Sequence, residues 1–415
     1  MKKKVFVLAA AAMACANIQS VTAQLSDVKF KFYGRVRMDA FYNSRTNQEM
    51  VDGLYYLFPL DKKPDADGKD LNAVSTDYFY TMYTRLGVDI NGVELGKAKA
   101  SVKVEADFRG SGTNFYNLRL RHAYVQLKWH DGDLLFGQTW HPLFGEVSPK
   151  VMNLSTGAPF QPFSRAPQLR YRHTFGKFQA IGALVWQSQF LSIGPDNVKS
   201  NTYLKNSCVP EIYVGINHRT AHWLLGVGGE LLSLKPRTTS TVSDAELAVS
   251  NTYKVNERVT SLSGEAYVQY SSDKWLVAAK SVLGGNLTQV NMLGGYGVTS
   301  TDSRTGEQEY TPIRNSATWL NIVYGKKWKP GVFVGYSKNL GTSTAVTKVY
   351  GLGTNIDQLV NAGAELSYNL PHWIFGVEYT ASTAFYGSMN MSNGRVNDTH
   401  SVCNHRVVGS ASFVF

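Results

Sequence analysis

Apolar and polar residues alternate along most of this chain, and in several runs the polar face is charged. In the first run Val28, Phe30, Phe32, Gly34, Val36, Met38, Ala40 and Tyr42 fall on one face, with Lys29, Lys31, Tyr33, Arg35, Arg37 and Asp39 on the other. Near 98–108, Ala98, Ala100, Val102, Val104, Ala106 and Phe108 alternate with Lys99, Ser101, Lys103, Glu105 and Asp107. A period of two marks strands with two unlike faces. The runs reach about a dozen residues, longer than the five or six usual in soluble sheets and about what a tilted strand needs to cross a bilayer. A face with a charge at every second position is costly against hydrocarbon, so it must line water.

Tight connections are predicted at Asn91-Gly92, Asp131-Gly132, Gly176, Thr220-Ala221, Ser272-Asp273, Pro330-Gly331 and Leu370-Pro371. Between them lie long polar segments near 43–77, 110–117, 142–166, 191–209, 235–258, 288–315, 341–357 and 385–403. Short turns at one end and long loops at the other are characteristic of outer-membrane barrels. The fold predicted is all-β, a transmembrane antiparallel β-barrel of about 16 strands. The strands are placed near 28–42, 78–91, 97–109, 118–130, 133–141, 167–175, 177–190, 210–219, 222–234, 259–271, 274–287, 316–328, 331–340, 358–369, 371–384 and 404–415. A sheet of that size encloses an aqueous channel rather than a packed core. Aromatics near strand ends (Tyr78, Tyr80, Trp129, Trp186, Trp223, Trp275, Trp319, Trp328, Trp373 and Phe415) suit a membrane–water interface.

The N-terminus has Lys2, Lys3 and Lys4, an apolar stretch from Val5 to about Ala16, and Val21-Thr22-Ala23 before Gln24. That is the pattern of a cleaved secretory signal over residues 1–23, leaving 24–415 as one barrel domain. Cys15 raises lipidation as an alternative, but Ala12-Met13-Ala14 lacks the usual upstream leucine. Cleavage removes three lysines and no acid, so the net charge of +11 becomes +8. In an exported chain this excess points to small anionic solutes or anionic lipid rather than nucleic acid. Export permits a disulfide, yet Cys208 and Cys403 fall about half a barrel apart and are expected to be free.

The third long loop, 142–166, is apolar for a loop (Leu143, Phe144, Val147, Val151, Met152, Leu154, Phe160 and Phe163). It is expected to fold into the lumen and narrow it; a position across the mouth or in a subunit interface is the other possibility. Arg35, Arg37, Arg85, Arg109, Arg119, Arg121, Arg165, Arg170 and Arg172 cluster within the first six strands, together with Glu105 and Asp107. Arg119 and Arg121 share a face, as do Arg170 and Arg172. Rows of guanidinium bind carboxylate, phosphate or sulfate in pairs of hydrogen bonds. An arginine–carboxylate ladder that only stiffens the wall is the alternative.

The stretches Glu105-Ala-Asp-Phe-Arg-Gly, Leu118-Arg-Leu-Arg-His-Ala-Tyr124, Leu135-Phe-Gly-Gln-Thr-Trp140 and Arg165-Ala-Pro-Gln-Leu-Arg-Tyr171 resemble the DcaP-like trimeric outer-membrane porins. The resemblance is clearest over about 78–175. It implies a sixteen-stranded barrel, a homotrimer in outer-membrane lipid, and a basic constriction admitting small anions such as dicarboxylates. By the same resemblance Arg119, Arg121, Arg170 and Arg172 line the channel. Many members carry an N-terminal coiled-coil extension that this sequence does not show.

The function expected is therefore passive diffusion of small hydrophilic, anionic solutes across the bacterial outer membrane, with no cofactor, metal or catalytic residue. A plugged structural or adhesive barrel is the first alternative. An outer-membrane enzyme is the second, with His141, His173 and His405 as the histidines near strand ends but no evident Ser or Asp partner. His400, Cys403 and His405 could contribute to a metal site but lack a fourth ligand.

Overall fold

The computed structural model describes residues 28–51, 53–110, 117–244 and 249–415. The predicted signal, Cys15 and most of the loop at 110–117 lie outside the described residues. The alternating runs form sixteen antiparallel barrel strands: β1 (Lys29–Asn43), β2 (Arg85–Leu95), β3 (Ala98–Asp107), β4 (Arg119–Lys128), β5 (Gly132–Trp140), β6 (Arg165–Phe175), β7 (Phe178–Val185) and β8 (Glu211–Arg219) make the first half. The second half is β9 (Trp223–Leu234), β10 (Val259–Ser271), β11 (Trp275–Gly285), β12 (Gln308–Tyr324), β13 (Trp328–Gly341), β14 (Ile356–Asn369), β15 (Trp373–Asn390) and β16 (Arg395–Val414). Each pairs with its sequence neighbour, and β16 pairs with β1 from Arg35↔Val414 to Asn43↔Arg406, so the sheet closes.

Burial is inverted relative to a water-soluble protein. On β1, Phe30 and Phe32 are 59% and 75% exposed, whereas Arg37 and Asp39 are 8% and 1% exposed. The same alternation runs round the barrel, with Val332 and Val334 outside and Phe333 inside. The apolar surface has hydrocarbon as its solvent, where a Lys or Arg at mid-depth would cost about 2–4 kcal/mol.

At the short-turn end the aromatics pair across strands. Trp223 meets Tyr270 with ring centroids 5.0 Å apart, Trp275 meets Tyr324 at 4.6 Å, Trp328 meets Tyr368 at 4.6 Å, and Trp373 meets Phe413 at 5.1 Å. Two predicted members of this girdle belong elsewhere: Trp319 and Tyr80 are buried inside. Trp319 falls on the inward parity of β12, where its Nε1 donates to Gln161.

Most predicted turns stand, and three connections differ. Asn91-Gly92 is a bulge within β2, which runs on to a turn at Gly96. One extra residue there, with Asn91 and Gly92 against Ser101, bends the strand without ending it. Pro330 and Gly331 lie in β13, because Gly325, with φ of 103°, takes the turn instead. The segment 385–403 is mostly an extension of the β15–β16 hairpin, turning at 391–394.

Loop 43–77 is not polar throughout: Leu54–Phe58 is buried, and Asn47–Met50 and Tyr55–Pro59 form a hairpin. The Tyr56 hydroxyl donates to Ser382 Oγ at 2.9 Å, and Arg406 donates to the carbonyls of Gly53 and Leu54. Residues 142–164 touch inward side chains of β11 to β15. Lys280 donates to the Leu143 carbonyl, the Lys150 amide to Asn321 Oδ1, and Asn361 to the Thr156 carbonyl. Phe160 packs on Phe333, and Leu293, from 286–293, joins the same cluster with Phe58.

Phe415 seals the seam. Its amide donates to Gly34 O at 3.1 Å, and Gly34 N donates to Phe415 O at 3.0 Å. The ring covers Gly34, where an added Cβ would lie 2.6 Å from Phe415 Cζ. Deleting Phe415, or replacing Gly34→Val, should lower the yield of compact, heat-modifiable barrel on a gel. Wild-type assembly of both variants would show that this contact is dispensable.

Candidate functional site

The interior wall of β1 to β6 carries the arginines. Arg37 binds Asp39 at 2.6 Å, and Arg85 approaches Glu105 at 3.4 Å. Arg119 bonds Asp107 through Nε (3.0 Å) and Nη2 (2.8 Å). Arg121 bridges Glu105 (2.5 Å) and Asp107 (3.0 Å). A bulge creates this arrangement: Asp107 faces Arg119, but Glu105 faces His122, which leaves Arg121 as the extra residue. Both Arg121 and His122 are consequently buried, His122 with Nδ1 3.0 Å from Thr139 Oγ1.

Three cavity arginines have no carboxylate partner among the described residues. Arg35 and Arg109 lie over the Tyr83 ring at 5.9 and 4.1 Å, and Arg109 also faces Tyr55 at 5.3 Å. Arg165 stacks on Trp140 at 3.7 Å and donates to Gln189 Oε1. Aromatic faces attract guanidinium without neutralising it, so these cations keep their charge for a third party.

These groups line a cavity of about 370 Å³ bounded on one side by Arg35, Arg37, Arg85, Arg109, Arg121 and Arg165 and on the other by residues 148–161. A second cavity continues toward the short-turn end and reaches Ser272–Trp275, Lys329, Glu365 and Ser412. Arg35, Arg37, Lys150, Val151 and Met152 line both. The Arg37 guanidinium donates to the Met152 carbonyl at 2.9 Å, joining wall to loop there.

Of the positions singled out by resemblance, Arg121 borders the cavity. Arg119 is set behind it on Asp107, and neither Arg170 nor Arg172 borders it. Arg172 is held by Asp133 (3.0 Å) and Glu146 (3.1 Å). Glu105 and Asp107 serve as counter-ions to the arginine row. Sequence reasoning missed Tyr55, Tyr83 and Lys150, and named Met152 only as one of the apolar residues of the third loop. The apolar run Leu54–Pro59 was a usable signal for the first of these; nothing in the sequence distinguishes Tyr83 from its neighbours Tyr78 and Tyr80.

His405 meets Tyr379 through Nδ1 (2.7 Å) and Cys403 Sγ through Nε2 (3.8 Å), whereas His400 turns to Asp61 (2.6 Å). Cys208 and Cys403 are free. His173 stacks between Tyr171 and Phe175. His141 lies with Glu211 and Glu230, all buried and with ligand atoms within 4.8 Å. Its Nδ1 accepts the Leu143 amide, which puts the ring proton on Nε2, facing Glu211 at 2.7 Å. That hydrogen bond secures the start of the third loop.

A closed barrel with an apolar exterior, a cation-lined interior and loops packed within its outer half has the architecture of the outer-membrane porins. Residues 8–190, fewer than half of the chain, match the family model of the DcaP outer membrane protein, so the resemblance carried by Glu105–Trp140 is borne out over that part. Among solved structures, the outer membrane channel DcaP of Acinetobacter baumannii is similar at 19% identity and TM-score 0.64, covering 94% of this chain and 98% of that one. OmpT of Vibrio cholerae in its trimer form is 13% identical with TM-score 0.52, covering 94% and 99%. Salmonella typhi OmpF in complex with daunomycin is 11% identical with TM-score 0.50, covering 94% and 98%. At these identities the likeness concerns the fold alone. No curated protein matches the chain.

Asp107 is the fully buried hub of the arginine row. Asp107→Asn should destabilise the barrel by roughly 3–5 kcal/mol, because it strands Arg119 and half of the Arg121 pairing. Denaturant unfolding of the detergent-solubilised protein measures this.

Proposed function

We propose that the protein is a passive channel that favours small anions, dicarboxylates among them, and that residues 142–164 narrow it against the arginine wall. The observation that carries this reading is the set Arg35, Arg109 and Arg165, which face the cavity without a carboxylate partner among the described residues. Arg37, Arg85, Arg119 and Arg121 meet Asp39, Glu105 and Asp107, and the other three arginines add to that row. The carboxylates hold the row in shape, and the surplus cations set the sign of the potential. The proposal includes a homotrimer in outer-membrane lipid, in keeping with the trimer form of Vibrio cholerae OmpT.

A plugged barrel is the competing reading. Its support is the burial of Tyr55, Leu57, Phe58, Phe160 and Leu293 in one cluster inside the outer half of the lumen. Conductance separates the two: a plugged barrel passes no steady current in a planar bilayer.

Unit charges about 4 Å apart in a water-filled passage interact by about 1 kcal/mol. Removing one unpaired guanidinium should therefore lower the anion-over-cation permeability ratio by about threefold to tenfold. Reversal potentials in a KCl gradient for Arg35→Ala, Arg109→Ala and Arg165→Ala measure this, with Lys29→Ala at the turn end as the control. Unchanged potentials in all three would overturn the anion reading.

A further inference from the structure

The third loop brings its own charge to the passage. Residues 142–164 contain two ionisable side chains, Glu146 and Lys150. Glu146 is tied to Arg172 (3.1 Å) and Arg219 (3.5 Å). Lys150 instead borders both cavities, in the company of Arg35 and Arg37 from β1. Its side chain is exposed and makes no ion pair or hydrogen bond among the described residues.

Its backbone, by contrast, is pinned. The Lys150 amide donates to Asn321 Oδ1 at 2.7 Å on β12. Two residues on, the Met152 amide is shared by Glu365 Oε2 (2.6 Å) and Glu378 Oε2 (2.9 Å), and the Met152 carbonyl accepts from Arg37. The Thr156 hydroxyl donates to Glu378 as well. The loop tip is thus held on β12, β14, β15 and β1 at once, which leaves a solvated ammonium on a fixed base. A fixed base lowers the ordering cost of engaging a solute.

We propose that Lys150 is a specificity-determining residue of the channel, the loop-side half of a two-sided cationic clamp whose wall side is Arg35 and Arg37. This rests on the anion-channel reading and deepens it. An acidic loop facing a basic wall would set a transverse field that orients zwitterions. With Arg37 paired to Asp39, Lys150 and Arg35 supply the surplus charge, and their net positive field attracts net negative charge and gains little from a zwitterion's dipole. The solute class favoured is therefore one with net negative charge, and zwitterions of similar size are disfavoured.

The test uses the full-length barrel in planar bilayers and in liposomes. Reversal potentials in a KCl gradient are compared for wild type, Lys150→Met, Lys150→Arg, Lys150→Glu and Arg35→Ala. Liposome swelling compares a small monocarboxylate with glycine. Lys150→Met should lower the anion-over-cation ratio by about threefold to tenfold, the size of one unit charge near 4 Å. Lys150→Arg should keep the ratio, and Lys150→Glu should speed glycine entry relative to the monocarboxylate. If Lys150→Met leaves the ratio unchanged while Arg35→Ala lowers it, the clamp is wrong and the anion-channel reading stands. If neither variant moves the ratio, the clamp falls, and Arg109→Ala and Arg165→Ala, run alongside, decide the anion-channel reading. Should Lys150→Glu not assemble, Lys150→Met and Lys150→Arg still decide the matter.

Discussion

Everything in this structure depends on closing the backbone ladder. In hydrocarbon no water satisfies a free N–H or C=O, so a strand that crosses the bilayer must be paired on both edges. The β1–β16 pairing supplies the last row of bonds, and the reciprocal Phe415–Gly34 pair ends it. Closure then dictates the inverted burial. Alternate residues face lipid and are apolar, and the remaining half face inward, where Arg37, Asp39, Glu105 and Asp107 can sit among one another and water.

Once charges are confined to the interior, their pairing determines what the channel can attract. The bulge at Arg121 lets one guanidinium bridge two carboxylates and so concentrates neutralisation on the middle of the row. Arg35, Arg109 and Arg165 are left to aromatic neighbours, which orient them while leaving the charge available. The loops complete the design from the opposite side. Residues 142–164 are anchored by His141 at the start and by Glu365 and Glu378 near the tip, and the hairpin at 47–59 packs beside them. The open space is thereby displaced toward the arginine wall.

The strands were legible because alternation is imposed residue by residue by the two solvents on either side of the sheet. Two of the misread connections share a cause. Asn91-Gly92 has the composition of a turn but is a bulge, and Pro330-Gly331 lies within β13, because pairing with neighbouring strands overrides local turn preference. Trp319 was misassigned to the girdle for a related reason: its inward parity is set by register, not by residue type. In the site, the arginine cluster was legible as composition. The distinction between Arg119, held on Asp107, and Arg35, which has no carboxylate partner among the described residues, was not, since it depends on which carboxylate lies across the next strand.

By itself the sequence determined that the chain makes a barrel of about sixteen membrane-crossing strands with a basic interior, because period, turn chemistry and charge are local properties. Only the tertiary structure decided which cations face the open cavity, that Leu54–Phe58 joins the filling of the lumen, and that Lys150 borders the same cavities as Arg35 and Arg37. Those facts follow from contacts between residues a hundred or more positions apart, such as Lys150 with Asn321 and Met152 with Glu378. No periodicity along the chain encodes them; they arise when closure brings distant strands and loops into one enclosed space.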